Sequence, residues 1–381
     1  MRTLNRMIPT TRILTATGAL ALALLPTACK SKDRPPEGAE KAAEGDRGGA
    51  PQAGGEKPAS GAGGAVTLNG SGSTFQKGYQ EASIEEFGKA SSEVTINYGG
   101  GGSGKGRQDL ADMVVDFAGS DSAYKEPDLA KNKGGPVLYF PILLGPITLS
   151  YNIDGVDKLQ LSPQTIAGIF QRDIKKWNDK AIAGDNPGAK LPDAAIVVVH
   201  RSDGSGTTDN FTKYLDAAAK GTWKLKSGST VEWPADTQAG NGNAGVAQIV
   251  TSTQGAIGYV DLSDAKASGL KYASVKNQAG KYVEPTAESA QAAGDGIEVK
   301  DDLLFSALDP KGDGSYPITY QSWVIVYAKQ TDKARGEAVK SYLKYLLTDG
   351  QRLLPELDFA PLPKGLQDKA VAQLDKVQVA P

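Results

Sequence analysis

The run Arg201-Ser202-Asp203-Gly204-Ser205-Gly206-Thr207-Thr208 is dense in hydrogen-bond donors. A guanidinium offers a two-pronged fork to an oxyanion, and Ser205, Gly206 and Thr207 add N–H and hydroxyl donors. Asp203, two residues on, is placed to hold the arginine. Two further loops share the design: Gly70-Ser71-Gly72-Ser73-Thr74 and the glycine-rich stretch from Gly99 to Gly104 each set Gly and Ser or Thr between a strand and a helix start. Such loops present N–H groups and hydroxyls beside the positive end of a helix dipole, which suits a phosphate-like anion. One loop alone is ordinary turn and N-cap chemistry; three, with Arg201, point to an oxyanion site.

Asp121, in Gly119-Ser120-Asp121-Ser122, is at odds with a bare anion, because a carboxylate repels an oxyanion unless the anion carries a proton to donate. Phosphate near neutral pH carries one and sulfate does not. A desolvated site of this kind rejects the analogue that leaves its carboxylate unpaired by roughly 10⁴ to 10⁵. The blander role for Asp121 is a helix cap.

Other chemistries fit less well. Gly99, Gly104 and Lys105 have the spacing of a nucleotide-binding P-loop, but Gly106 stands where a Ser or Thr would hold magnesium. The single histidine, His200, ends an apolar strand and reads as structural. Ser205 lacks the G-x-S-x-G elbow, and no His, Cys or carboxylate cluster has metal-ligand spacing. Neither enzyme activity, a metal nor a cofactor is expected. With 42 Lys+Arg against 44 Asp+Glu, the net charge of -2 supplies no bulk field for nucleic acid, so any anion site must be local.

The elements that must position these loops are legible in part. Val66-Thr67-Leu68 reads as a short strand, and Tyr79, Ala82 and Phe87 share a helical face. Val94, Ile96 and Tyr98 alternate as a strand, Leu110, Met113 and Val114 show helical spacing, and Asp116 to Gly119 returns as a strand. Strand, glycine loop, helix, strand is the order of a βαβ unit, hence an α/β fold with a mostly parallel sheet whose loop edge holds the ligand. Further strands are expected over Ile147 to Asn152, Ala195 to Val199, Gly255 to Val260 and Trp323 to Tyr327. Helices are expected from Ser162-Pro163, through Phe211 and Leu215, and over Val339, Tyr342, Leu343 and Leu346.

The N-terminus carries Arg2, Arg6 and Arg12, then an apolar run from Ile13 to Leu25 that is short for a membrane span and fits a secretory signal. It ends in Leu25-Pro26-Thr27-Ala28-Cys29, similar to a bacterial lipobox, so residues 1–28 are expected to be removed and Cys29, the only cysteine, lipidated. One cysteine allows no intrachain disulfide. Residues 29–65 are mostly Gly, Ala, Pro, Glu and Lys with no aromatic side chain, too poor in apolar surface to fold, and read as a flexible stalk.

Taken together, Gly72-Ser73-Thr74-Phe75, Tyr98 with Gly102-Ser103, Gly119-Ser120-Asp121, Lys175-Lys176-Trp177-Asn178, Arg201 to Thr207, Gly255-Ala256-Ile257-Gly258-Tyr259-Val260 and Tyr316-Pro317-Ile318-Thr319 resemble the high-affinity phosphate-binding proteins of bacterial ABC phosphate importers. The likeness runs from Val66 to the C-terminus. It implies a type II-like periplasmic-binding-protein clamp of two lobes, each a mixed, mostly parallel sheet flanked by helices: 66–145 plus 318–381 as lobe I, 146–317 as lobe II, with hinge crossings near Gly145 and Tyr316. Carried over by position, it places phosphate on Thr74, Phe75 (backbone), Ser103, Asp121, Arg201, Ser205, Gly206 and Thr207, with Asp203 pairing the arginine. It implies a membrane permease as partner and a monomer outside the cytoplasmic membrane. Other readings are a receptor for another oxyanion or phosphorylated small molecule, or an exported phosphatase. Two departures are Lys105, where many relatives have a small residue, and Gly-Ser-Gly-Ser before Thr74, where the family has Gly-Ala-Gly.

Overall fold

The computed structural model describes residues 65–381; the expected export signal, Cys29 and nearly all of the expected stalk lie outside the described residues. Strand β1 (Val66–Gly72) leads into helix α1 (Lys77–Ala90), whose buried face carries Tyr79, Gln80, Ser83 and Phe87. Strand β2 (Val94–Gly100), helix α2 (Ser103–Ala111) and strand β3 (Phe117–Ser120) follow. Both β2 and β3 pair parallel to β1, with Val66 opposite Val94 and Gly70 opposite Phe117, so the βαβ reading holds.

One expectation in this stretch needs correction. Leu110 is buried in α2, but Met113 and Val114 lie beyond the helix and are 55% and 67% exposed. Met113 takes a left-handed φ of 61°, and the Val114 N–H reaches Asp109 O. The chain has to reverse there to bring Phe117 into the sheet, so these two apolar side chains belong to a turn rather than to a core face.

Strand β4 (Val137–Asn152) is far longer than the expected six-residue strand. Residues from Val137 to Pro146 pair antiparallel with β8 (Thr319–Tyr327), and residues from Ile147 to Asn152 pair antiparallel with β7 (Ala256–Asp261). Beyond β7 come β5 (Val197–Arg201) and β6 (Gln238–Gly240), both parallel to their neighbours. The sheet therefore runs β2-β1-β3-β8-β4-β7-β5-β6, with a ninth short strand, Lys271–Tyr272, on β4. This is the mixed α/β architecture expected of a periplasmic-binding-protein fold. Strand β5 starts two residues later than expected and ends on Arg201, whose N–H donates to the Tyr259 hydroxyl and which pairs with Gly240.

Helix α3 (Pro163–Phe170) has the expected cap, with the Ser162 hydroxyl accepting from Thr165 N and Pro163 in the first turn. Helices α4 (Gly206–Ala218) and α5 (Gly242–Ser252) begin just after β5 and β6, and α6 (Lys333–Leu347) buries Val339, Tyr342, Leu343 and Leu346. Starts of α1, α2, α4 and α5 thus gather at the carboxyl ends of parallel strands, where open α/β sheets hold ligands. Among the described residues no helix is long and apolar enough to cross a membrane.

Close approach of α2 to β1 depends on Gly106: a methyl group there would lie 2.6 Å from Gly72 Cα and 2.6 Å from Ser71 O. Alanine normally favours an exposed helix over glycine by about 1 kcal/mol. Here Gly106→Ala is expected to destabilise by about 1–3 kcal/mol through overpacking against backbone. Urea unfolding checks the sign, and a stabilised variant would contradict the packing described.

Candidate functional site

Arg201 stands at the end of β5, 4% exposed. Its Nε donates to Asp203 Oδ1 at 2.8 Å and Nη2 to Asp203 Oδ2 at 2.5 Å, a two-pronged pair. Nη1 donates to Thr207 Oγ1 at 3.3 Å and to Asn243 Oδ1 at 3.0 Å. Four of the guanidinium's five N–H donors are thereby directed at protein acceptors, leaving one on Nη2. Asp203 is also held by the N–H of Gly242 at 3.0 Å. Gly242 has φ +67°, a backbone that glycine adopts freely and that turns this N–H to the carboxylate as α5 begins. Burial would push the Asp203 carboxyl up, but the Arg201 hydrogen bonds and charge, with the Gly242 N–H, hold it below its ordinary value.

Asp121 follows β3 and is 1% exposed. Its Oδ1 accepts from Ser322 Oγ at 2.5 Å and Ser73 Oγ at 2.7 Å; Oδ2 accepts from Ser103 Oγ at 3.1 Å and lies 2.8 Å from Ser73 Oγ. Burial pushes this carboxyl above its ordinary value, and the Ser322, Ser73 and Ser103 hydroxyls and the Arg201 charge pull it back. The position of Ser322 depends on a local irregularity: the β4–β8 register shifts between Ser322 and Trp323, leaving Ile142 as the extra residue. Such bulges re-aim side chains.

Loops from the two ends of the sheet meet here. A methyl group at Gly206 would lie 2.4 Å from Ser103 Oγ and 2.7 Å from Asp121 Oδ2. Asn210 Nδ2 donates to Asp121 O at 2.7 Å and to Gly206 O at 2.9 Å, and the Gly104 N–H donates to Gly204 O at 2.8 Å. Thr207 Oγ1 is 3.2 Å from the Tyr320 hydroxyl, and the Asn243 N–H reaches Thr74 Oγ1 at 3.3 Å. Tyr320 also packs on Phe75, with ring centroids 4.2 Å apart.

The sequence-derived residues Thr74, Phe75, Ser103, Asp121, Arg201, Ser205, Gly206 and Thr207, with Asp203, lie in this one region, although some of their donors already have partners. Ser205 caps α4: its Oγ accepts from Thr208 N at 3.0 Å and its N–H goes to Ser229 O, so the hydroxyl proton is the group it offers. The Phe75 N–H is taken by Ser73 Oγ at 3.1 Å. Gly206 and Thr207 occupy the first two positions of α4, where N–H groups have no intrahelical acceptor. Residues missed from sequence are Ser73 and Ser322, which surround Asp121, and Asn243, which supports Arg201. His200 stacks on Trp233, centroids 5.0 Å apart, and its Nδ1 lies 2.9 Å from Arg201 O, which fits its structural reading.

The arrangement gathers one guanidinium donor left over among the described residues, helix-terminal N–H groups, hydroxyls and a buried carboxylate, groups whose chemistry suits an oxyanion. Residues 57–350 match a family model described as a PBP superfamily domain. The phosphate-binding protein PstS of Pasteurella multocida is 38% identical over 284 residues, 73% of this chain and 81% of that one. Its namesake from Methanocaldococcus jannaschii is 37% identical over 322 residues, 78% of this chain and 81% of that one. A solved structure of a high-affinity periplasmic phosphate-binding protein bound with phosphate aligns with TM-score 0.68 at 23% identity, over 81% of this chain and 94% of that one, a likeness of fold.

Asp203→Asn leaves a buried guanidinium short of its counter-charge and is expected to cost about 3 kcal/mol at neutral pH. Because the folded Asp203 value is depressed, the ion pair's contribution is present above the unfolded carboxyl value, about 3.9, and is lost as pH falls through the folded value. Urea midpoints against pH should show a shallower acid limb for the variant; identical limbs would count against this role.

Proposed function

Because the chain belongs to the phosphate-binding protein family of the PBP superfamily, we propose that it binds inorganic phosphate outside the cytoplasmic membrane and hands it to the permease of an ABC phosphate importer. Thr74, Phe75, Ser103, Asp121, Arg201, Ser205, Gly206 and Thr207 form the phosphate-contacting set, with Asp203 holding Arg201. The observation that carries this reading is the burial in one place of an arginine with one spare donor and a carboxylate able to accept a proton. That pairing suits an anion that is both negatively charged and protonated.

In this structure Ser73, Ser103 and Ser322 each donate one hydroxyl proton to Asp121, so together they meet three of the about four acceptor positions of a carboxylate. The position left over takes the ligand's O–H. Sulfate would leave that position unpaired and facing negative charge.

The clamp consists of lobe I, 66–145 plus 318–381, and lobe II, 146–317. Supporting this division, β4 changes partner from β8 to β7 between Pro146 and Ile147, and β8 begins at Thr319. The protein is an exported monomer anchored by lipid on Cys29 and facing the periplasm or cell exterior. It is a carrier rather than an enzyme, a reading supported by relatives named as phosphate-binding proteins and by the commitment of His200 to Trp233 and the Arg201 carbonyl.

Isothermal titration with phosphate and sulfate at neutral pH tests the reading. Phosphate should be preferred by several orders of magnitude, up to about 10⁴ to 10⁵; tight sulfate binding without a response to phosphate would overturn it. Asp121→Asn should narrow the preference by tenfold or more, since the amide can donate where the carboxylate repelled. An unchanged ratio would remove Asp121 as the discriminator.

A further inference from the structure

Asn243 is fully buried at the second position of α5, between two members of the contacting set. Its backbone N–H reaches Thr74 Oγ1 at 3.3 Å and its Oδ1 accepts from Arg201 Nη1 at 3.0 Å. Nδ2, by contrast, has no hydrogen-bond partner among the described residues. The amide cannot be turned over to cure this, because the exchange would aim its NH2 at the guanidinium N–H and leave both donors unmet. A buried donor without an acceptor costs about 1–3 kcal/mol.

Its surroundings suggest what that donor is for. Asn243 lines a cavity of about 350 Å³ at the start of α1 and α5 together with Thr74, Phe75 and Gly242 and with the carboxylates Glu81, Asp261 and Asp264; of the contacting set only Thr74 and Phe75 reach it. Helix α5 is eleven residues long, and its N-cap residue, Asn241, makes no side-chain capping bond. The Asn243 side chain therefore stands beside the positive end of a helix dipole, on a residue that also contacts the Arg201 guanidinium and the Thr74 hydroxyl. Asp261, on the same cavity, also has a buried oxygen, Oδ2, without a partner. It is not hydrogen-bonded to Asn243, so it leaves the amide donor unmet.

We propose that Asn243 is itself a phosphate ligand, its Nδ2 donating to an oxygen of the bound anion while its Oδ1 aims Arg201 at the same anion. This rests on the phosphate reading of the site and adds a ninth residue to the contacting set. One amide thus fixes both its own donor and the orientation of the guanidinium, so the two reach the ligand as a unit.

Titration of inorganic phosphate into the full chain tests the assignment. Asn243→Ala should bind about 10- to 100-fold more weakly, the range for losing a hydrogen bond to a charged group. Asn243→Asp keeps an oxygen for Arg201 Nη1 but removes the donor and should lose at least as much. Either variant binding within twofold of the unsubstituted protein would overturn the proposal; for the Asp variant, that result would reduce Asn243 to a support for Arg201. Should both variants misfold, a crystal structure of the unsubstituted protein with phosphate decides. Nδ2 within about 2.7–3.2 Å of a phosphate oxygen upholds the assignment, and a separation beyond hydrogen-bond reach overturns it. An unsubstituted protein that does not bind phosphate would instead sink the functional reading itself.

Discussion

The pairing of Arg201 with Asp203 is the constraint on which the rest of the site depends. A buried guanidinium is tolerated only when its charge is matched and its donors are met, and breaking such a pair costs several kcal/mol. Here the partner is two residues away, so the pair forms within one turn of chain. Asp203 then reaches Gly242 at the start of α5, while Arg201 reaches Thr207 at the start of α4 and Asn243. A single ion pair thus fixes two helix starts relative to β5.

Asp121 answers it from the other end of the sheet. Its carboxylate accepts from hydroxyls rather than from cations, and the Arg201 charge pulls it toward its ionised form. Tyr98 and Tyr320, whose hydroxyls feel Asp121, are pushed upward by burial and stay neutral. The site therefore holds one guanidinium against Asp203 and Asp121, and its pull on an anion comes from directed N–H and O–H groups more than from net charge. That fits a chain whose overall charge is only -2, and it favours discrimination by proton position over steering by field.

Much of this was legible because local chemistry is written locally. The Arg201 to Thr208 run, the glycine loops and the strand–loop–helix order each depend on residues within about ten positions of one another, so pattern reading found them. Ser322 was not legible: its contact with Asp121 spans 201 positions and depends on a bulge in β4 that no periodicity announces. Ser73 lies inside the Gly-Ser-Gly-Ser stretch that departs from the family pattern, and nothing local in that stretch marks it as a partner of Asp121, 48 positions away. Asn243 sat in a Gly-Asn stretch that looks like any turn until Arg201 is placed beside it. Met113 and Val114 misled in the opposite sense, since helical spacing continued past the point where the chain had to reverse.

The Gly104 N–H and the Gly204 carbonyl form a backbone-to-backbone contact. It joins loops at opposite ends of the sheet without a side chain on either partner, and a methyl on Gly104 would come within 3.0 Å of the Gly204 carbonyl oxygen. In a clamp, apparent affinity is the intrinsic affinity scaled by the fraction of molecules in the competent, shut arrangement. A small wedge at this seam would lower that fraction while leaving every ligand-contacting atom unchanged. Affinity can therefore be set at a joint between two glycines that do not belong to the proposed contacting set.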